Sequence, residues 1–192
     1  MKTICWDIDD CLNNFMFDWF YKKWKMENKD CIMEYEDLKK NPPHEILKCT
    51  KEKYLKSLDE FRPDYYMLYH PEPRILKWFW EYGDKFNHIA LTGIPLSSVH
   101  FSAAWLFKNF GKWIRGYFFV PSYRKNENIS MYYKTKCEYI NQIGNVDIFI
   151  EDNEKNYEEM RGLGKISFLV NRPWNSSSMS IENILRLINK EI

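Results

Sequence analysis

The chain has 192 residues, 45% hydrophobic and 18% aromatic, with 28 Lys and Arg against 27 Asp and Glu for a net charge of +1. That length supports one globular core plus a small accessory unit, and the near-neutral balance gives no footprint for a nucleic-acid polymer. No segment is apolar enough for a membrane span, and Asp7, Asp9 and Asp10 stand where a signal peptide needs its apolar region. The five cysteines, Cys5, Cys11, Cys31, Cys49 and Cys137, form no C-x-x-C pair. They read as reduced thiols of a cytoplasmic protein, neither a disulfide frame nor a zinc site.

In chain order, the apolar run from Ile4 empties into turn-forming aspartates, the pattern of a buried strand leading to a loop. Residues 13–70 hold aromatic, helix-like stretches and the breaker Asn41-Pro42-Pro43, with no period-2 run, and read as a mostly helical insertion. From Pro71 the chain alternates. Helices are expected over Glu72 to Tyr82, Leu96 to Phe110, Tyr133 to Ile143 and Glu154 to Leu163, each followed by a strand: His88 to Leu91, Tyr117 to Val120, Val146 to Ile150 and Ile166 to Val170. An amphipathic helix, Ile181 to Ile188, closes the chain. Such alternation predicts an α/β fold with a parallel sheet covered on both faces, whose site lies beyond the carboxyl ends of the strands.

Chemistry collects at those ends. Continued as a strand, Asp7 and Asp9 share a face, and two adjacent carboxylates repel unless a cation sits between them. Hard carboxylate oxygens beside a phosphate point to Mg²⁺; the competing reading is that the aspartates cap the following helix. The second strand ends in Thr92-Gly93, a hydroxyl and a flexible backbone N–H, and the fourth in Glu151-Asp152, two more acids. Lys134 and Lys136 open the helix before that fourth strand. Lys136 has the better offset, with Tyr139, Ile140 and Ile143 as the buried face behind it.

The order Asp-x-Asp, Thr, Lys, Glu-Asp resembles the four motifs of the haloacid dehalogenase superfamily, and Pro173-Trp174-Asn175 resembles a signature of its deoxyribonucleotidase-like branch. The resemblance implies a three-layer Rossmann-like core, residues 1–12 and 71–192, with residues 13–70 as a small helical cap. It implies Asp7 as nucleophile, Asp9 as acid and base, Thr92 and the Gly93 N–H as phosphate holders, and Lys136 as charge neutraliser. Mg²⁺ would be held by Asp7, the main-chain carbonyl of Asp9, and Asp152, with Glu151 in support. Asp10-Cys11 and Gly93 depart from the branch, which usually has Gly-Val and a Ser there. Cys11 beside the site is expected to be oxidation-sensitive. Phe15 and Trp19, at helical spacing, are either a stacking shelf for a base or packing between cap and core. The expected activity is Mg²⁺-dependent hydrolysis of a small phosphate ester, a nucleoside monophosphate first. The alternatives are a sugar or metabolite phosphatase, a phosphotransferase, or a catalytically silent binding protein.

Overall fold

The computed structural model describes residues 1–125, 127–130 and 132–191. Five parallel strands, β1 (Thr3–Trp6), β2 (Asn87–Ile94), β3 (Ile114–Pro121), β4 (Ile148–Glu151) and β5 (Ile166–Leu169), lie in the order β3-β2-β1-β4-β5. The chain winds outward from β1 on one side through β2 and β3, then returns to the other side for β4 and β5. The carboxyl ends of β1, β2 and β4 therefore meet where the winding reverses, which is where open parallel sheets form their sites.

Period-2 alternation assigns the two faces. Ile4, Trp6, Ala90, Ile148 and Ile150 pack against α4 (Pro73–Tyr82), α5 (Val99–Phe110) and α8 (Ile181–Ile188). Cys5, Leu91, Val120 and Phe149 point the other way, to Ile140 of α6 (Lys136–Ile143) and Met160 of α7 (Glu154–Gly162). The result is the expected three-layer α/β core.

Residues 13–70 contain no strand: α1 (Phe15–Trp19) continues through a π-helical turn, Phe20–Trp24, into α2 (Lys25–Glu27), and after loops comes α3 (Lys51–Leu68). Thr50 starts α3 by accepting a hydrogen bond from the Lys53 N–H. Asn14 at the start of the insertion donates to Glu72 at its end (3.0 Å), and the Glu72 N–H donates to the Leu12 carbonyl (3.0 Å). These bonds tie the two connecting segments together. The insertion's rings, among them Phe15, Trp19, Phe61 and Tyr65, join those beneath the sheet in one buried cluster.

Several boundaries shift. The helix expected from Tyr133 starts at Lys136, because Thr135 is its N-cap and accepts from the Glu138 N–H (3.1 Å). Strand β2 runs on to Ile94, three residues past the expected end, because β3 pairs with it as far as Ile94↔Pro121.

Candidate active site

Strand β1 ends at Trp6, and the Asp7 N–H still donates to Ile150 of β4 (2.9 Å), which fixes the Asp7 backbone at the strand end. The Asp7 carboxylate takes the Ile8 N–H on one oxygen (2.7 Å) and the Lys136 ammonium on the other (2.8 Å). Lys136 Nζ lies 2.8 Å from Glu151 as well, so one buried ammonium bridges the ends of β1 and β4. Lys134, by contrast, is exposed; its N–H caps toward Glu138.

Asp152 follows β4 and is also buried. The Trp174 indole N–H donates to its carboxylate (2.9 Å), and the Asn175 amide donates to its carbonyl (2.7 Å) and to that of Val170 (2.8 Å). The Pro173-Trp174-Asn175 stretch is thus a brace for Asp152. Thr92 is buried on β2, two residues past Ala90, the partner of Trp6, and so projects beyond the end of β1. Gly93 is exposed beside it, and a Cβ added there would meet nothing within 4 Å. Asp7, Thr92, Gly93, Lys136, Glu151 and Asp152 all line one cavity of about 320 Å³.

Three buried carboxylates, Asp7, Glu151 and Asp152, face one ammonium, Lys136. Burial, aided by Glu151, pushes Asp7 up to about 8 against the pull of Lys136, and burial with the nearby Asp7 raises Asp152 to about 7. Burial alone would lower Lys136, but Asp7 and Glu151 hold it above its ordinary value, so it stays charged. Fully ionised, the three carboxylates leave two negative charges beyond Lys136, which a divalent cation would neutralise. Ligand atoms of Asp7, Cys11 and Asp152 lie within 4.8 Å of one another. The two carboxylates suit a hard cation such as Mg²⁺; a thiol does not. Burial also keeps the Cys11 thiol well above its usual range, with Asp7 adding to the effect. A protonated, enclosed thiol is a poor target for oxidants, which corrects the expected sensitivity.

Asp9 lines the same cavity as Asp7, but not as the next residue on one face of a strand. The strand stops at Trp6, and the backbone turns through Asp10 at φ +61°. The Asp9 carboxylate instead meets the insertion: Arg62 donates to it at 2.6 Å, and Tyr66 OH lies 2.8 and 3.0 Å from its two oxygens. Asn13 adds a contact at 3.2 Å. Arg62 and Tyr66 sit one turn apart on α3 and escaped the sequence reading, although polar residues at i and i+4 amid an aromatic face were a visible signal.

Trp19 is 0% exposed, donates its indole N–H to Ser57 (3.1 Å), and packs on Trp24 and Tyr54. Phe15 is 1% exposed and borders the cavity, but Tyr65 and Tyr66 flank its ring and the Arg62 guanidinium covers it at 4.4 Å. Neither ring presents a free face for stacking, so the shelf is corrected to packing.

No family model matches the chain, and no curated protein matches it. Solved structures do. A haloacid dehalogenase-like hydrolase from Streptococcus pneumoniae superposes with a TM-score of 0.59 at 12% identity, over 97% of this chain and 90% of that one. The fold is that of the haloacid dehalogenase-like hydrolases. A subfamily IA hydrolase from Geobacter sulfurreducens gives 0.55 at 12% identity over 99% and 96% of the two chains. YfnB of Bacillus subtilis, described as a hydrolase of the same superfamily and solved with magnesium, gives 0.58 at 13% over 98% and 97%.

Proposed function

We propose that the protein is a Mg²⁺-dependent phosphomonoester hydrolase that works through a phosphorylated Asp7. The observation that carries this reading is the Lys136 bridge between Asp7 and Glu151 at the end of the sheet, in a cavity that also holds Asp152, Thr92 and Gly93. Asp7 attacks phosphorus: an Asp7 oxygen–phosphorus bond forms as the bond to the leaving oxygen breaks. Lys136 neutralises charge on Asp7 and on the phosphoryl group, while the Thr92 hydroxyl and the Gly93 N–H receive the non-transferred oxygens. Asp9, held at the insertion side of the cavity, gives a proton to the leaving oxygen. It then takes a proton from the water whose oxygen bonds to phosphorus as the Asp7 oxygen–phosphorus bond breaks, releasing phosphate and freeing Asp7. Asp7 and Asp152 would hold Mg²⁺, with the Asp9 carbonyl as the third protein oxygen; the ion supplies charge stabilisation for the phosphoryl oxygens.

Among substrates, the packed state of Phe15 and Trp19 takes away the physical support for a nucleobase and favours a sugar or other small-metabolite phosphate. Among the described residues no helix is long and apolar enough to cross a membrane, and the five cysteines form no disulfide. A screen over phosphomonoesters with and without Mg²⁺ tests the proposal. Mg²⁺-dependent release of phosphate, abolished in Asp7→Asn, is expected; full activity after chelation would refute the metal assignment.

A further inference from the structure

A second cavity, of about 420 Å³, lies against the turn after β1 and shares no lining residue with the first: Asp10 borders the catalytic cavity and Cys11 this one. Arg172, from the segment after β5, lines it. Its Nε and Nη2 grip the Asp10 carbonyl (2.9 and 2.6 Å), but its Nη1 reaches only the Asn171 carbonyl at 3.5 Å, the limit of a hydrogen bond. Among the described residues no carboxylate stands within ion-pair distance of Arg172, whereas Arg62 and Arg124 each hold an aspartate at 2.6 Å. The Nη1 edge of this guanidinium is therefore a charged donor without a matching acceptor.

Tyr35 lines the same cavity at 8% exposed, and its hydroxyl makes no hydrogen bond among the described residues. Unlike the Tyr65 hydroxyl, which is sealed inside the protein, it remains accessible. Burial, and after it the nearby Asp10, holds this phenol well above its usual range against the pull of Arg172, so it stays a donor. Lys39, exposed and without an ion pair among the described residues, is the third cationic or donor group. The cavity's own acids do not answer these three: Arg74 holds both Glu72 (2.6 Å) and Glu182, and Glu36 is exposed. We infer that this cavity is a second binding site, separate from the catalytic one, for a small metabolite whose carboxylate or phosphate is taken by Arg172, Tyr35 and Lys39. The volume exceeds that of an oxyanion alone, and Ile75, Val170 and Ile181 give a short apolar body a wall to lie on.

Calorimetric titration of the intact protein tests this, with Mg²⁺ and beryllofluoride present to fill the catalytic cavity. Butyrate and propylphosphonate are the probes: they share a propyl body, differ in the anionic head, and neither is a phosphate ester. At least one should bind with millimolar or tighter affinity, and the tighter of the two identifies the head group. Tyr35→Phe keeps the ring, removes only the hydroxyl, and should weaken that binding by about tenfold. Lys39→Gln, at an exposed position, should weaken it by about threefold and decides the matter alone should Tyr35→Phe not fold. Both positions lie outside the catalytic cavity, so a loss in these variants reports this site whether or not the phosphatase reading holds. No binding of either probe to the wild type, or equal binding in the wild type and the folded variants, would overturn the site.

Discussion

Asp10 carries the left-handed φ of +61° that lets the chain leave β1, and the surrounding contacts explain why an aspartate serves where a glycine would be easier. Its carboxylate accepts from the Met16 N–H (3.1 Å), its N–H donates to Asn13 Oδ1 (3.0 Å), and Arg172 grips its carbonyl at 2.6 and 2.9 Å. A glycine there would relieve the backbone but lose the bond to Met16. Trp174 plays the corresponding part for Asp152. Trp174→Phe keeps the ring packed on Tyr35 but removes the indole donor. Mg²⁺ affinity, read by calorimetry or by the Mg²⁺-induced rise in Tm, should weaken by about tenfold or more. An unchanged affinity would mean that Asp152 needs no such brace.

The helix α3 does most to set the insertion's character, and it was the element hardest to read. Its aromatic residues Phe61 and Tyr65 fill the interior, while Arg62 reaches the cavity and Asp59 and Tyr66, one turn to either side of it, meet its guanidinium. Trp19→Ala should lower stability by about 3–5 kcal/mol in denaturant titration, since a fully buried ring leaves a cavity, while substrate preference stays as it was. A shift in preference with stability unchanged would restore the stacking shelf. The core elements were legible because local pattern decided them: α8, with one apolar stripe, runs Ile181–Ile188 as its periodicity indicates. That Asp7, Thr92, Glu151 and Asp152 meet at one edge was legible too, because a parallel sheet sends its strand ends there; Lys136 joins them from the start of α6. The direction of Asp9 was not, because it depends on a left-handed residue and on an arginine more than 50 positions away in sequence. Nor could spacing tell whether Phe15 and Trp19 face ligand or protein, since both outcomes need the same helical period.

Across the whole molecule, one buried cluster runs from the insertion to the layer beneath the sheet, and within it lies a titratable group. His88 is 3% exposed, accepts the Trp6 indole N–H on Nδ1 (3.1 Å), and lies 2.8 Å from the Gly83 carbonyl through Nε2. Burial pushes it down to about 4, against the opposing effect of the Gly83 carbonyl. The unfolded chain, with an ordinary imidazole near about 6.5, therefore binds a proton that the fold refuses between those values. Stability from this group is present above about pH 6.5 and is lost as pH falls toward 4, by up to about 3 kcal/mol. His88→Gln, which can keep a donor and an acceptor but does not titrate, should flatten the Tm profile between those pH values relative to wild type. Parallel profiles would show that His88 is not buried in its neutral form. The central claim, that a carboxylate at the end of β1 carries the phosphoryl group, is tested most directly by acid-quenching a single turnover and mapping the protein by mass spectrometry. The account predicts one added phosphoryl group on the peptide containing Asp7, dependent on Mg²⁺ and absent in Asp7→Asn; a turnover-competent protein with no phosphoryl adduct, or with one on any other residue, would contradict it.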